Sequence, residues 1–311
     1  MSGYLNEMPG LFDSLTEGDD EPLHSLDPAG LERGDRLRFI SFGSGSSGNC
    51  AYLGTSSCGV LIDAGVDNNF VAESLKKNSI NMRSICGILL THDHGDHVRY
   101  AYPLLRRNPH LRLYATPKAM TGILRRHSVS RRIKDYHNPI YKEFPFKAGD
   151  FSITAFETSH DGTDNCGFYI EGAGTSFAVV TDTGIITERA DYYIRRSEHL
   201  MLEANYDAEM LRKGSYPQHL KARILSERGH LDNIAGAVYL AGLRPEGLRN
   251  VFLCHLSQDN NTPETARRAY TTALRINGIE AGDGSGSAED RSSRLRLHVL
   301  PRTSCSPLIY L

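Results

Sequence analysis

Short apolar runs bounded by polar residues recur along the chain and predict a strand-rich protein. The first strand is predicted at 37–42 and is followed by a Gly/Ser turn at 43–49. Segments 51–54 and 58–65 predict a hairpin-like pair, and 85–92 predicts a buried strand. Further strands are predicted at 111–116, 151–159, 166–172, 175–184, 199–205, 251–257 and 295–301.

Helical patterns alternate with these strands. One helix is predicted to begin near Val98, and the others are predicted at 67–78, 117–127, 207–213, 217–228, 231–241 and 262–275. Strands mixed with helices indicate sheets covered by helices. We expect an acidic disordered tail at 1–35, one domain at 36–311 and a surface loop at 280–293.

Composition excludes several classes of protein. The chain has 311 residues, 40% hydrophobic and 23% charged, which is typical of a soluble globular protein. No apolar run reaches the ~18 residues of a membrane span, and the N-terminus does not resemble a signal peptide. The six cysteines form no CxxC motif and are expected to be reduced. We therefore expect a cytoplasmic protein without a membrane partner, whose oligomeric state the sequence does not reveal.

Charge is distributed unevenly. Residues 1–34 are acidic and contain a single base, Arg33. Residues 98–134 contain no acid. We call the bases of that segment the basic block: Arg99, Arg106, Arg107, Arg112, Lys118, Arg125, Arg126, Arg131, Arg132 and Lys134. The block indicates either an anionic partner or the solvated face of two helices.

The segment THDHGDH at 91–97 concentrates five potential metal ligands directly after a predicted strand: His92, Asp93, His94, Asp96 and His97. Imidazole nitrogens and carboxylates bind zinc, manganese or iron. Burying such a cluster without a metal would leave polar groups unpaired. A chance surface cluster is the alternative, but other strand ends complete the pattern.

Four other predicted strands also end in a residue that can bind a metal. These residues are Asp63, His160, Asp182 and His255. Sites in open sheets lie at strand ends, so the recurrence indicates one shared site. Each residue alone would be read as a hydrogen-bonded histidine or a helix-capping aspartate.

In motif order and spacing, residues 37–311 resemble the metallo-β-lactamase superfamily. The resemblance implies an αββα sandwich, in which two mixed sheets pack face to face with helices outside. It also implies that Asp63 orients the ligand loop, whereas Asp93 lies outside the ligand set. The implied ligands are His92, His94 and His160 for one ion, Asp96, His97 and His255 for another, and Asp182 as the bridge.

Two divalent ions would account for the chemistry of this superfamily. A water bridging them becomes hydroxide near neutral pH and attacks phosphorus or carbonyl carbon, while the ions stabilise the developing charge. Mixed His/Asp sites accept Zn²⁺, Mn²⁺ or Fe²⁺, so the sequence does not select the metal.

Four longer motifs carry a narrower resemblance, to the WalJ/YycJ family of nucleases. They are FGSGSSGNC (42–50), LEANYDAEMLRKGSYPQHLKARI (202–224), GHLDN (229–233) and CHLSQDNNTPETA (254–266). The family consists of 5′→3′ DNA exonucleases, so nucleic acid is the implied partner, with DNA favoured over RNA. The chain has Tyr206 where the family usually has His, and Asp232 where it has Ser.

Glu203 and His230 resemble the glutamate–histidine pair of tRNase Z. In that pair the histidine protonates the leaving oxygen. Cleavage of a phosphodiester expels an alkoxide, which leaves poorly without a proton, and a histidine beside a carboxylate can supply one. A purely structural hydrogen-bonded pair is the alternative.

Substrate-binding residues are expected in the Gly/Ser turn and just after the last predicted ligand. Gly-rich turns expose backbone N–H groups to phosphate, although turns of this composition are common. The candidates are Ser44, Ser46, Ser47, Asn49 and Ser257.

The leading hypothesis is a dinuclear metal-dependent phosphodiesterase, a 5′→3′ DNA exonuclease with Asp63, Glu203 and His230 as its catalytic residues. The alternative enzyme is a small-molecule hydrolase: a cyclic phosphodiesterase, a glyoxalase II-like thioesterase or a lactonase. The basic block and the Glu203/His230 pair argue against thioester and lactone substrates. A non-catalytic regulator would not need the complete ligand set.

Overall fold

The computed structural model describes residues 36–243, 247–282 and 295–311. The predicted acidic tail lies outside the described residues, as does most of the predicted loop at 280–293. Residues Asp35–Leu311 form one compact unit. Within the described residues no helix has the length and apolar character needed to cross a membrane.

Strands of the described chain form two mixed sheets. The first sheet has the order β15-β1-β2-β3-β4-β5-β6, and the second has the order β13-β14-β12-β11-β10-β9-β8-β7. The strands of the first sheet are β1 (Arg38–Gly43), β2 (Cys50–Gly54), β3 (Gly59–Ile62), β4 (Ile85–Leu89), β5 (Arg112–Ala115), β6 (His137–Pro139) and β15 (Ile309–Tyr310). Those of the second are β7 (Phe146–Ala148), β8 (Phe151–Glu157), β9 (Cys166–Gly172), β10 (Thr175–Val180), β11 (His199–Glu203), β12 (Asn250–Cys254), β13 (Ala281–Gly282) and β14 (Leu295–Val299).

Helices lie in the connections between strands. They are α1 (Asn68–Lys77), α2 (Gly95–Val98), α3 (Ala101–Arg107), α4 (Pro117–Arg126), α5 (Glu188–Ile194), α6 (Ala208–Lys213), α7 (Gln218–Ile224), α8 (Asn233–Gly242) and α9 (Pro263–Ile276). Short 3₁₀ helices span Met82–Ser84 and Arg131–Tyr136. Several helices start at a side-chain cap, as at Thr116, whose hydroxyl accepts the N–H of Ala119 before Pro117 opens α4.

In the part of the chain that the structure describes, the sheets and helices enclose three large apolar clusters, and a small fourth one surrounds Leu211. The central cluster packs the two sheets against each other, and Phe39 of β1 contacts Phe177 and Phe252 across it, with ring centroids 5.4 and 4.5 Å apart. A second cluster joins the other face of the first sheet to α1, α3 and α4, and a third joins the second sheet to α5, α8 and α9. This layering confirms the predicted αββα sandwich.

Within each sheet, the strands that precede the predicted site residues run in the same direction. Strands β3 to β6 run parallel to one another, and so do β10, β11, β12 and β14. Strand β8 is antiparallel to β9, which is antiparallel to β10, so β8 points the same way as β10. The carboxyl ends of these strands carry the residues singled out in the sequence.

Candidate metal centre

The seven predicted ligands lie together at this edge. His92 and His94 stand in the loop after β4, and Asp96 and His97 lie inside α2. The helix predicted to begin near Val98 is present as two short helices, α2 and α3, and α2 begins at Gly95 and so carries both residues. His160, Asp182 and His255 follow β8, β10 and β12.

Three residues of this edge have left-handed backbone conformations. The φ angles are 60° for Asp63, 51° for Asp182 and 54° for His255. For residues other than glycine such a conformation costs about 1–3 kcal/mol, and it persists where surrounding contacts enforce it. Each residue directs the chain away from the end of a buried strand. The repetition indicates that the placement of these side chains, and not the lowest backbone energy, determines the conformation at this edge.

His92, His94 and His160 form the first group of donors. One ring nitrogen of each lies within 4.8 Å of the others, and His94 Nδ1 is 3.2 Å from His160 Nε2. Burial lowers the pKa of His92 well below its usual value, and burial together with His160 lowers the pKa of His94 to about 4. These imidazoles therefore stay neutral and keep lone pairs for a cation.

Asp96, His97 and His255 form the second group, with donor atoms again within 4.8 Å of one another. His255 Nε2 lies 3.4 Å from Asp96 Oδ2. Burial opposes a charge on His97, but the carboxylates of Asp182 and Asp63 raise its pKa well above the usual value. Burial likewise opposes a charge on His255, yet Asp182 and its other acidic neighbours raise its pKa to about 10. The second group therefore combines two buried imidazoles with the half-buried carboxylate of Asp96 in a strongly negative environment.

Asp182 lies between the two groups. Its Oδ2 is 3.2 Å from His97 Nε2, and its Oδ1 is 3.3 Å from His255 Nδ1 and 3.7 Å from His160 Nε2. Although burial opposes ionisation, His255 and His97 hold the pKa of Asp182 well below the usual range. A carboxylate in this position can contact cations held by either group.

The hydrogen bonds of the histidines show that the donor set fits divalent metal ions. The Nδ1 atoms of His160, His97 and His92 contact Gly229 O at 2.8 Å, Asp63 Oδ2 at 2.7 Å and Thr91 Oγ1 at 3.0 Å. Partners of this kind fix imidazole rings in metal sites and leave Nε2 as the donor. His92 Nε2 is buried and has no hydrogen-bond partner. An orphaned buried nitrogen is costly, and a metal ion would satisfy it.

Asp63 holds the ligand loop in place. Its carboxylate accepts the backbone N–H of Thr91 at 2.9 Å and contacts His97 Nδ1 at 2.7 Å. Gly65 follows closely, and a Cβ there would lie 1.6 Å from the carbonyl oxygen of Asp96. Only glycine permits this approach, so the turn that follows β3 both positions His97 and packs against α2.

Glu203, the last residue of β11, is fully buried and lies beside His230. His230 Nδ1 is 2.7 Å from Glu203 Oε1, and His255 Nδ1 is 2.9 Å from the same oxygen. Glu203 Oε2 accepts the backbone N–H groups of Thr183 and Leu231. The carboxylate therefore holds His255 as well as His230, a second contact that the sequence did not suggest.

The five predicted substrate-binding residues differ in exposure: two are exposed, and three are buried and hydrogen-bonded. Ser46 and Ser47 are exposed. Ser44 is buried and its hydroxyl accepts the His255 N–H at 2.9 Å, while the Ser257 hydroxyl accepts the Asn260 N–H. The side-chain amide of Asn49 lies 3.0 Å from His97 Nε2. Ser44 and Asn49 thus touch predicted ligands, and a role in substrate binding stays a prediction for all five.

Two charged residues at the rim were missed in the sequence. Asp161 directly follows His160, and its Oδ1 lies 3.4 Å from His94 Nε2. The guanidinium of Arg223 in α7 donates to Asp161, with Nη2 3.0 Å from Oδ1. Burial opposes ionisation of Asp161, but Arg223 and His160 lower its pKa to about 2. Asp161 and Arg223 are far apart in sequence, so no local pattern connects them. The one available signal was that Arg223 lies in the LKARI segment of a motif already singled out.

The Beta-lactamase superfamily domain matches residues 59–256, the segment that carries the seven predicted ligands. The chain belongs to the metallo-β-lactamase superfamily. Within this superfamily it is 32% identical over 253 residues to Exodeoxyribonuclease YycJ from Bacillus anthracis, covering 79% of this chain and 92% of that protein. It is also 32% identical to Exodeoxyribonuclease WalJ from Streptococcus pneumoniae, over 76% of this chain and 88% of that protein.

A solved structure shows the same fold. The metallo-β-lactamase fold protein YhfI from Bacillus subtilis aligns with a TM-score of 0.61 at 13% identity, covering 87% of this chain and 99% of that chain. Membership of the superfamily makes the protein a hydrolase of the metallo-β-lactamase fold. Its His/Asp clusters are compatible with divalent metal ions, whose identity the donor set does not select.

Proposed function

We propose that the protein is a dinuclear metal-dependent phosphodiesterase that acts on nucleic acid, as a 5′→3′ DNA exonuclease. The observation that carries the proposal is the Glu203–His230 contact of 2.7 Å beside Asp182. A thioesterase releases a thiolate, which needs no such acid. Two relatives at 32% identity that bear the name exodeoxyribonuclease support the same substrate class.

In this proposal each group of donors would hold one ion, and Asp182 would serve as a ligand to both. The ions, when bound, supply Lewis acidity that activates water and stabilises charge on phosphate oxygens. Asp63 and Glu203 keep His97 and His255 in place through their Nδ1 atoms. Because these contacts fix the orientation of both rings, the ligand set is preorganised for metal.

His230 supplies the proton to the leaving oxygen. Its Nδ1 contacts a buried carboxylate, so Nε2 is the atom that can exchange a proton with substrate. The His230 side chain is 17% exposed, so part of it is accessible to solvent. As water adds to phosphorus and the bond to the sugar oxygen breaks, the proton moves from Nε2 to that oxygen.

The surrounding charges suit a polyanion. The carboxyl-terminal end of α4 lies against the ligand loop, where Arg126 Nε is 3.4 Å from Asp93 Oδ2 and His127 Nε2 is 2.6 Å from the Asp93 carbonyl oxygen. Arg125, Arg131 and Arg132 of the basic block are exposed. Arg126 therefore joins the basic block to the site, and the exposed arginines are available to phosphates.

The departure at Asp232 places a helix-capping carboxylate at the start of α8. Asp232 caps α8, and its Oδ1 accepts the N–H groups of Ile234 and Ala235. A serine could make the same kind of cap. The acidic side chain is thus used in helix capping, two positions after His230.

The direct test is a product ladder. Single- and double-stranded DNA and RNA, labelled at either end, are incubated with the protein and Zn²⁺, Mn²⁺ or Fe²⁺, with a chelator as control. We expect mononucleotides to be released first from the 5′ end of DNA. Cleavage of small cyclic phosphodiesters, thioesters or lactones with intact DNA would instead support the small-molecule hydrolase.

A further inference from the structure

Two aromatic side chains stand in solvent on the loop between β6 and β7. Tyr141 is 58% exposed and Phe144 is 70% exposed. Isolated exposed apolar residues are ordinary on protein surfaces. Here two exposed rings lie three positions apart on one short connection. Such a pair suits a ligand with flat apolar faces, and the proposed nucleic-acid substrate has such faces in its bases. We call residues 140–145 the aromatic loop.

Hydrogen bonds hold the backbone of the aromatic loop. Ile140 at its start is buried, the Glu143 N–H donates to Ala155 O at 2.8 Å, and the Phe144 N–H donates to Tyr141 O at 3.2 Å. The Glu143 carboxylate accepts hydrogen bonds from Arg189 Nε and Tyr193 Oη, each at 2.9 Å. The rings therefore project from a fixed frame, and a ligand would lose little by ordering them.

Topology places the aromatic loop at the edge that carries the site. Strand β6 runs parallel to β5, so the loop leaves β6 at the carboxyl-end edge. Strand β7 is antiparallel to β8, which leads to His160, so the loop enters β7 at the same edge. Lys142 Nζ lies 2.8 Å from Asp164 Oδ1, four positions after His160. The loop is thus tied to the segment that follows a predicted ligand.

The same segment connects the aromatic loop to the basic block. The Thr163 N–H donates to Asp93 Oδ1 at 2.9 Å, and Arg126 pairs with the same carboxylate. Contacts through Asp93 and the turn 161–165 thus link the exposed Arg126 of α4 to Lys142 of the aromatic loop, on the segment that follows His160. Cationic side chains combined with exposed aromatic rings are the composition of surfaces that bind single-stranded nucleic acid.

We propose that Tyr141 and Phe144 stack on unpaired nucleobases of the strand whose phosphate enters the metal centre. The ligand class is a single-stranded end of DNA, recognised by the faces of its bases and without preference for sequence. Bases in a duplex are stacked on each other and cannot use the rings. This inference rests on the proposed nuclease function and specifies its substrate.

The test compares strands with and without bases. A double variant, Tyr141→Ala with Phe144→Ala, is set against Tyr141→Phe with Phe144→Tyr, which keeps both rings. The substrates are a single-stranded oligodeoxynucleotide, the same strand with abasic sites near its 5′ end, and bis(p-nitrophenyl) phosphate. KM and kcat are measured for each, and the melting temperature reports on folding.

Stacking on one aromatic ring changes DNA affinity by about 5-fold to 150-fold. The alanine variant should therefore raise KM for the normal strand by at least about fivefold, with kcat nearly unchanged. The abasic strand should show the raised KM with the wild type and no further increase with the alanine variant. The ring-keeping variant should behave as the wild type, and turnover of bis(p-nitrophenyl) phosphate should not change.

Wild-type KM for the normal strand in the alanine variant would overturn the stacking proposal and leave the nuclease proposal intact. Failure of the wild-type protein to cleave any DNA strand would overturn both. A sedimentation coefficient that falls in the alanine variant while KM stays constant would assign the rings to a contact between copies of the chain, and would also overturn the proposal.

Discussion

The role of His230 leads to a prediction about leaving groups. Its Nδ1 lies 2.7 Å from the buried Glu203 carboxylate, so the imidazole is oriented with Nε2 free to deliver a proton. A positioned acid contributes about 10²–10⁴-fold, which is about 3–5 kcal/mol of activation free energy. His230→Ala should therefore lose about 10²–10⁴-fold in kcat on DNA, where the leaving group is a sugar alkoxide.

The comparison substrate is bis(p-nitrophenyl) phosphate, which releases a phenolate that is stable without a proton. Its hydrolysis by His230→Ala should fall by less than about tenfold, because the missing acid contributes little there. His219→Ala is the matched control, since His219 is an exposed histidine of α7 and should keep full activity on both substrates.

An equal loss on both substrates would refute the acid role and indicate that His230 positions substrate. The metal content of His230→Ala distinguishes an acid from a metal ligand. Donor atoms of Asp182, Glu203, His230 and His255 lie within 4.8 Å of one another, so His230 could itself bind a metal ion. Unchanged metal content in His230→Ala is the expected result, and loss of an ion would assign His230 to the ligand set.

Three further perturbations test other parts of the site. Asp182→Ala should abolish DNA cleavage and lower the content of both ions in elemental analysis, and wild-type occupancy would show that Asp182 is no bridge. Glu203→Gln should lower the free energy of unfolding, measured by urea denaturation, by about 3 kcal/mol. The reason is that the buried carboxylate contacts two histidines and accepts two backbone N–H groups. An unchanged urea midpoint would count against this stabilising role of Glu203. Replacing Arg125, Arg131 and Arg132 by Glu should raise the dissociation constant for DNA and flatten its dependence on salt, while bis(p-nitrophenyl) phosphate turnover stays the same. Equal losses on both substrates would mean that these arginines support the fold.

Strand ends made most of the site predictable. A buried strand is an apolar run, and a histidine or aspartate at its end is conspicuous, as at Asp63, Asp182 and His255. The direction of parallel strands then brings such ends to one edge. Short elements were harder to predict: α2 at Gly95–Val98 is too short to show a helical period, and α5 at Glu188–Ile194 was missed.

Contacts between distant segments could not be read from the sequence. Glu203 was expected to support His230, and its contact with His255 depends on the neighbouring position of β11 and β12 in the sheet. The Asp161–Arg223 pair joins a loop to α7 across 62 positions. Ser44 looked available to phosphate, yet its hydroxyl accepts a hydrogen bond from the His255 backbone. Such pairings depend on tertiary packing, which local patterns do not encode.

Titration of metal-free protein tests the central claim most directly. Protein stripped with a chelator is given increasing Mn²⁺ or Zn²⁺, and bound metal and cleavage of 5′-labelled DNA are measured on the same samples. A dinuclear centre predicts that cleavage is absent in the stripped protein and reaches its maximum at about two bound ions per chain. DNA cleavage without metal, or full occupancy with no cleavage of DNA, would contradict the account.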